Sequence, residues 1–229
     1  MALGSAVKQM FSGIASRYDF ANRVLSLGLC VGWRNRLVDA VADLKPRIVA
    51  DLATGSGDVA FALRRALPPE TEIVGYDFCE PMLEIGRRRA QDENVSLEFK
   101  PGDCMQLPIA NGSCDVVTIA YGVRNFENRA QGLSELARIT RSGGTVLILE
   151  FSQPQIWFRP FHFIHVRLLL PILAGVLTGD FGAYKYLGTS IAGFPNAEGL
   201  SAELKMAGFN EIRVESLLFG TVALHRAKK

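Results

Sequence analysis

The spacing of apolar positions changes character twice along the chain. Up to residue 45 it is helical: Ala21, Val24, Leu25 and Leu27 recur on one face, and Trp33, Leu37, Val38 and Val41 repeat the pattern. From Pro46 onward, short apolar runs alternate with helical stretches. Strands are expected at 47–51, 72–77, 95–99, 115–120 and 145–150, and helices at 57–66, 80–91 and 129–140. Such a series predicts a parallel, doubly wound sheet. Ser142-Gly-Gly144 reads as a turn at the entry to the fifth strand. Residues 152–195 then interrupt the alternation with an apolar segment and a Gly/Tyr-rich helix from Gly179 to Phe194. A helix at 197–207, Gly208 and two closely spaced strands at 210–216 and 219–226 end the chain, and the last two are expected to form an antiparallel hairpin. The expectation is one domain, 1–229, on a seven-stranded sheet, with a helical N-terminal segment (1–45) and an apolar insertion (152–195) that covers a pocket.

Composition adds little to this and excludes some classes. The chain is 48% hydrophobic and 21% charged with a net charge of +2, which points to neither nucleic acid nor an acidic partner. Cys30, Cys79, Cys104 and Cys114 form no C-x-x-C pair, so no metal is expected, and they read as buried thiols in a reducing compartment. The first residues lack the basic and apolar regions of a signal peptide, and a cytoplasmic location is expected. Phe158 to Leu177 is strongly apolar, but His162, His165, Arg167 and Pro171 break it. It reads as a helix over a pocket or on a membrane surface rather than a span, with a core helix or a dimer face as alternatives.

The chemistry concentrates at strand ends. Val49-Ala-Asp-Leu-Ala-Thr-Gly-Ser-Gly-Asp58 has the form strand, glycine turn, helix, and Asp77 ends the next strand 20 residues past Gly57. Gly55-Ser-Gly-Asp-Val-Ala60 formally meets the dinucleotide fingerprint. Charge argues against a diphosphate, because Asp51 and Asp58 flank the helix N-terminus that would have to hold it. The same carboxylates suit the ammonium and sulfonium of S-adenosylmethionine, with Asp77 on its ribose hydroxyls; the plain alternative for Asp58 is a helix cap. After the third strand, Asp103 is placed to accept from an adenine amine beside apolar Cys104 and Met105, or else simply makes an Asx turn. After the fourth, Tyr121-Gly-Val-Arg-Asn125 presents Arg124 and Asn125, which could hold a water or a phenolate oxygen, or make only an ion pair and a turn. Tyr18, in Ser16-Arg-Tyr-Asp19, is a further hydroxyl whose default is packing.

Together these motifs resemble the demethylmenaquinone and 2-polyprenyl-6-methoxy-1,4-benzoquinol C-methyltransferases of menaquinone and ubiquinone biosynthesis. The distinctive stretches are Met10–Asp19, Tyr121–Asn125, Leu149-Glu-Phe-Ser-Gln-Pro154, Tyr184-Lys-Tyr-Leu187 and Phe219–His225. The resemblance implies an α/β, Rossmann-like class I S-adenosylmethionine-dependent methyltransferase that methylates a ring carbon of a prenylated quinol and releases S-adenosylhomocysteine. It implies cofactor contacts from Asp51, Gly55, Ser56, Gly57, Asp77, Phe78, Asp103, Cys104 and Ala120. The family more often has Gly at Thr54, Thr at Ser56, Asn-Ala at Asp103-Cys104 and Ser at Ala120. Arg124, Asn125 and Tyr18 match the residues that activate a water to deprotonate the quinol, with Arg124 stabilising the anion; His162 and His165 are alternative bases. The segment 156–177 would line the channel for the prenyl tail and touch the inner face of a membrane, and a homodimer is expected. Methylation of another small molecule, or a scaffold role, are the competing readings. The N-terminal segment with Tyr121–Asn125 favours quinols, and the intact Asp51, Gly55, Gly57 and Asp77 favour catalysis.

Overall fold

The computed structural model describes Ser26 and residues 28–164 and 181–229. Its elements are α1 (Leu29–Ala42), β1 (Ile48–Leu52), α2 (Asp58–Ala66), β2 (Glu72–Asp77), α3 (Glu80–Asp92), β3 (Glu98–Pro101), β4 (Cys114–Ala120), α4 (Arg129–Ile139), β5 (Thr140–Phe151), α5 (Arg159–Ile164), α6 (Phe181–Ala192), α7 (Ala197–Met206), β6 (Ile212–Leu217) and β7 (Val222–Lys228). The seven strands form one sheet in the order β3-β2-β1-β4-β5-β7-β6. Pairing is parallel from β3 to β5, and β7 runs antiparallel to both β5 and β6. The expected seven strands and terminal hairpin are therefore present.

Both faces of the sheet are covered, which explains why its central strands read as continuous apolar runs. In β5, Val146 and Ile148 point to a core shared with Leu133 and Leu136 of α4 and Leu200 and Leu204 of α7. Leu147 and Leu149 point the other way, to a core with Leu37 and Val41 of α1, Phe61 and Leu63 of α2, and Leu83 of α3. The chain leaves β1 toward one edge and returns to β4 on the other side of β1. The ends of β1 and β4 therefore bound the crevice where a doubly wound sheet binds ligands.

Element ends differ from the sequence expectation where backbone hydrogen bonds overrule apolar runs. Val95, expected in the third strand, closes α3 instead. Asn94 takes φ +51°, the Val95 N–H donates to Ala90 O, and the Asn94 N–H donates to Gln91 O. This Schellman closure delays β3 until Glu98. Strand β5 starts pairing at Thr140, so the Ser142–Gly144 turn is a bulge inside it and shifts the register between Cys114 and Val116. Leu218, Phe219 and Gly220 all have positive φ, so they form the turn that the sequence reading had placed partly in the last strand. The N-terminal segment is described only from α1 onward, with Ser26, and the 152–195 insertion only as 152–164 and 181–195. Among the described residues, no helix is long and apolar enough to cross a membrane.

Gly57 links fold to site. It has φ +90°, and a Cβ there would lie 2.6 Å from Phe99 Cζ. The Phe99 ring is itself packed against Phe61, with centroids 5.9 Å apart. Gly57→Ala is expected to cost about 2–4 kcal/mol, from left-handed strain and overpacking together. The midpoint of urea unfolding measures it; an unchanged midpoint would show that Phe99 does not close over this turn.

Candidate active site

The sharp turn after β1 is built on a left-handed Ala53 (φ +49°), followed by Gly55 (φ +57°) and Gly57. The Thr54 N–H donates to Tyr76 O of the neighbouring strand, 3.1 Å away. Asp51, 1% exposed, sits beneath the turn. Its carboxylate accepts from Thr54 Oγ1 at 2.6 Å and from Thr118 Oγ1 of β4 at 2.7 Å. Thr54, the departure from the more usual glycine, thus ties the loop to Asp51. Burial pushes the Asp51 carboxyl up to about 6 against the opposing pull of the two hydroxyls.

Asp77, also buried, lies at the end of β2. It accepts from the backbone N–H of Gly55 at 2.9 Å and of Cys79 at 2.8 Å. Burial raises its carboxyl above the ordinary value, opposed by those backbone donors. Two desolvated carboxylates under one glycine turn form a set of acceptors suited to hydroxyls and to a cation. Ser56 is buried within the turn, and Phe78, half-buried, follows Asp77.

Asp58 departs from both readings of it. Gly57 occupies the cap position of α2, and Asp58 makes no capping bond. Its carboxylate pairs instead with Arg34 of α1 and, at 2.8 Å, with Arg89 of α3. No arginine lies between Arg47 and Arg64 in the sequence, but two from other helices reach Asp58 in space. Asp58 therefore brings no free negative charge to the ligand, and the case against a diphosphate rests on Asp51 and Asp77.

The other loops converge on Ala53. Asp103 makes the Asx turn, accepting from the Met105 N–H at 2.9 Å, and the residue stays exposed. Cys104 is buried with its thiol against the Ala53 backbone, and burial, then Asp77, push that thiol well above its ordinary value. It is an apolar wall and not a nucleophile. Of the other cysteines, Cys79 and Cys114 are buried and Cys30 is partly exposed.

Ala120 ends β4, and Tyr121 then adopts φ +57°. Gly122 brings this turn against the first: a Cβ on it would lie 2.6 Å from Ala53 Cβ. Arg124 and Asn125 follow in a short 3-10 turn, Val123–Asn125. Arg124 is not at the surface. It and Glu150 are buried (4% and 1% side-chain exposure), with 2.9 Å between Arg124 Nη1 and Glu150 Oε1. Arg124 Nη1 also donates to Tyr121 O, and the Arg124 N–H donates to Glu150 Oε2 at 3.2 Å. Asn125 Oδ1 accepts from the hydroxyl of Tyr186, on α6, at 3.2 Å.

The structure therefore brings together Asp51, Gly55, Ser56, Gly57, Asp77, Phe78, Asp103, Cys104, Ala120, Arg124 and Asn125 at one end of the sheet. Tyr18 and His165 lie outside the described residues, as does the side chain of His162. Sequence reasoning gave no role to Glu150, Thr118 or Tyr186. A glutamate ending the apolar run Val146-Leu-Ile-Leu-Glu150 was the available signal for the first.

A seven-stranded sheet with an antiparallel last pair, and glycine and carboxylate loops at the β1–β4 crevice, define the Rossmann-like methyltransferase class. A SAM-dependent methyltransferase of Thermotoga maritima has this fold, with a TM-score of 0.67 at 20% identity over 96% of this chain and 99% of that one. The chain belongs to the ubiE/COQ5 methyltransferase family, which it matches over residues 2–229. It is 43% identical over 217 residues to the demethylmenaquinone methyltransferase of Thermus thermophilus, covering 94% of this chain and 98% of the relative. It is 38% identical over 232 residues to the ubiquinone/menaquinone biosynthesis C-methyltransferase UbiE of Geobacter sulfurreducens, covering 99% and 89%.

Asp51 gives the site a pH signature. The fold holds its proton more tightly than the unfolded chain does, about 6 against 3.8. The corresponding stability is present below about pH 4 and is lost as pH rises through 6, on the order of 3 kcal/mol. Relative to Asp51→Asn, the wild type should lose roughly that much between pH 4 and 7, as read by urea unfolding at each pH. Parallel curves would mean that the carboxyl is solvated.

Proposed function

We propose that the chain transfers the methyl group of S-adenosylmethionine to a ring carbon of a prenylated quinol, as the names of its relatives suggest. The observation that carries this reading is the contact of Gly122 with Ala53, through which the Tyr121–Asn125 turn abuts the carboxylate-floored glycine loop. Groups able to hold an acceptor oxygen thereby stand beside groups able to hold the cofactor. Asp77 would accept from the ribose hydroxyls, Asp51 would balance the cationic end, and Asp103 with the Cys104 wall would meet the adenine. When bound, the cofactor supplies an electrophilic methyl on a positively charged sulfur.

A ring carbon is a poor nucleophile until the adjacent hydroxyl loses its proton to water and the oxyanion pushes density onto it. The chain's task is to hold that oxygen and align the carbon; alignment alone is worth roughly 7–11 kcal/mol. Asn125 is the polar side chain at the turn suited to orient the oxygen or its water, with Tyr18 in the role the family resemblance gives it. Arg124 shares its charge with Glu150, so its part is to shape the turn more than to face the anion alone.

The test is methyl transfer under reducing conditions, with demethylmenaquinol and the polyprenyl methoxybenzoquinol side by side, together with a calorimetric titration with S-adenosylhomocysteine. Heat of binding and methylation of at least one quinol are expected. Binding with neither quinol methylated would discard the acceptor, and no binding would favour a scaffold.

The acceptor's tail motivates a second proposal, contact with a bilayer. Trp157, Phe158, Phe161 and Phe219 pack ring against ring and remain largely at the surface, with Ile156 79% exposed and Arg159 beside them. Aromatic rings next to a cation suit the interface of an anionic membrane. Co-sedimentation with phosphatidylglycerol vesicles should fall at least tenfold for Trp157→Asp/Phe161→Asp, while methylation of a short-chain, water-soluble quinol stays unchanged. Equal sedimentation of wild type and variant would remove the proposal.

A further inference from the structure

Tyr186 lies on α6, 61 residues along the chain from Asn125, yet its hydroxyl donates to Asn125 Oδ1 at 3.2 Å. The tyrosine is half-buried and its hydroxyl has Arg124 as an electrostatic neighbour. It arrives on a helix packed over the end of the sheet's fourth strand, at the Val123–Asn125 turn, while Asn125 belongs to the turn pressed against Ala53. A hydroxyl contributed by α6, bonded to a polar side chain of the turn that abuts the cofactor loop, is where the oxygen of a planar acceptor would come between them.

We propose that Tyr186 is a catalytic residue: on acceptor binding its hydroxyl turns from Asn125 Oδ1 to the quinol oxygen, and donates to the oxyanion that activates the ring carbon. This rests on the quinol reading above. Tyr186 keeps its own proton throughout; burial raises its phenol above the ordinary value, so at neutral pH it is a donor and not a base. The quinol hydroxyl proton goes to water. The ring carbon then bonds the methyl as the S–CH3 bond breaks with its electron pair left on sulfur, and the ring C–H proton leaves to solvent. Asn125, released by Tyr186, still has an Nδ2 hydrogen for the same oxygen. A neutral donor fixed at the developing charge stabilises it without the desolvation cost of a second buried cation. Arg124, already paired with Glu150, raises the local potential from behind.

The test is Tyr186→Phe, assayed with demethylmenaquinol from pH 6 to 10. Loss of one oxyanion donor should lower kcat by about 10²-fold. The rising limb of the kcat profile should move at least one pH unit toward alkali, because the bound quinol has become harder to ionise. Affinity for S-adenosylhomocysteine should be unchanged, which also reports that the variant is folded. Tyr186→His, which keeps a ring N–H donor, should recover part of the rate. A phenylalanine variant with wild-type kcat, or one slowed with its pH limb in place, would overturn the proposal and assign the hydroxyl to packing. A wild type that methylates no quinol would instead overturn the functional reading itself.

Discussion

The site depends on two opposite charges removed from water together. Arg124 and Glu150 are nearly without exposure, and the two residues are bonded to one another and to the backbone around them. Glu150 Oε1 accepts from Arg124 Nη1 and from the Phe151 N–H, and Oε2 accepts from the Arg124 N–H. Arg124 Nη1 also reaches the carbonyl of Tyr121. Aromatic rings complete the enclosure, with the guanidinium 5.2 Å from the centroid of Phe151 and 6.0 Å from that of Tyr121. Such a pair stabilises little in net terms, but breaking it leaves a buried charge that costs roughly 3–5 kcal/mol. That asymmetry makes it a clamp. It holds Tyr121 in a left-handed conformation that a bulky residue otherwise avoids, and so fixes where Asn125 points.

A second clamp works on the cofactor side, by a different balance. Among the described residues no cation pairs with Asp51; it is held by the hydroxyls of Thr54 and Thr118 and lies near Asp77, which raises its carboxyl further. Two buried carboxylates so close are poorly stabilised by the protein alone. Their arrangement is understandable if a cationic ligand supplies what the chain withholds. Asp58 shows the contrast: partly exposed and flanked by Arg34 and Arg89, its carboxyl is held below the ordinary value. Three aspartates on successive elements, β1, α2 and β2, thus do two jobs, and the side chains around each decide which.

Much of this was legible in the sequence because the responsible patterns are local. Alternating apolar runs gave the strands, Gly208 gave the end of α7, and the placement of Asp51, Gly55, Gly57 and Asp77 at consecutive strand ends gave the crevice. What was not legible is set by contacts between distant residues. Asp58 could not be separated from its neighbours without knowing that Arg34 and Arg89 fold against it. An ion pair was one of two readings of Arg124, but its partner could not be named because Glu150 is 26 residues away. The start of β3 was misjudged because Val95 is as apolar as a strand residue, and only the left-handed Asn94 reveals that it closes a helix. Tyr186 lay in one of the stretches that carried the family resemblance, but a tyrosine in a helix has no pattern that names its partner.

The strand that carries the first clamp also holds α6. Gln153, just past β5, donates from Nε2 to the carbonyls of Ile191 and Phe194, both at 3.0 Å. Ile191 and Phe194 are themselves buried, so the C-terminal end of α6 is anchored to the sheet. Tyr186 lies less than two helical turns before that anchor and Glu150 only three residues before Gln153. The strand that buries the ion pair is therefore the strand that holds α6, and one rigid element sets the distance between the hydroxyl of Tyr186 and the amide of Asn125. The polar contact between Tyr186 and Asn125 is thus fixed from the sheet.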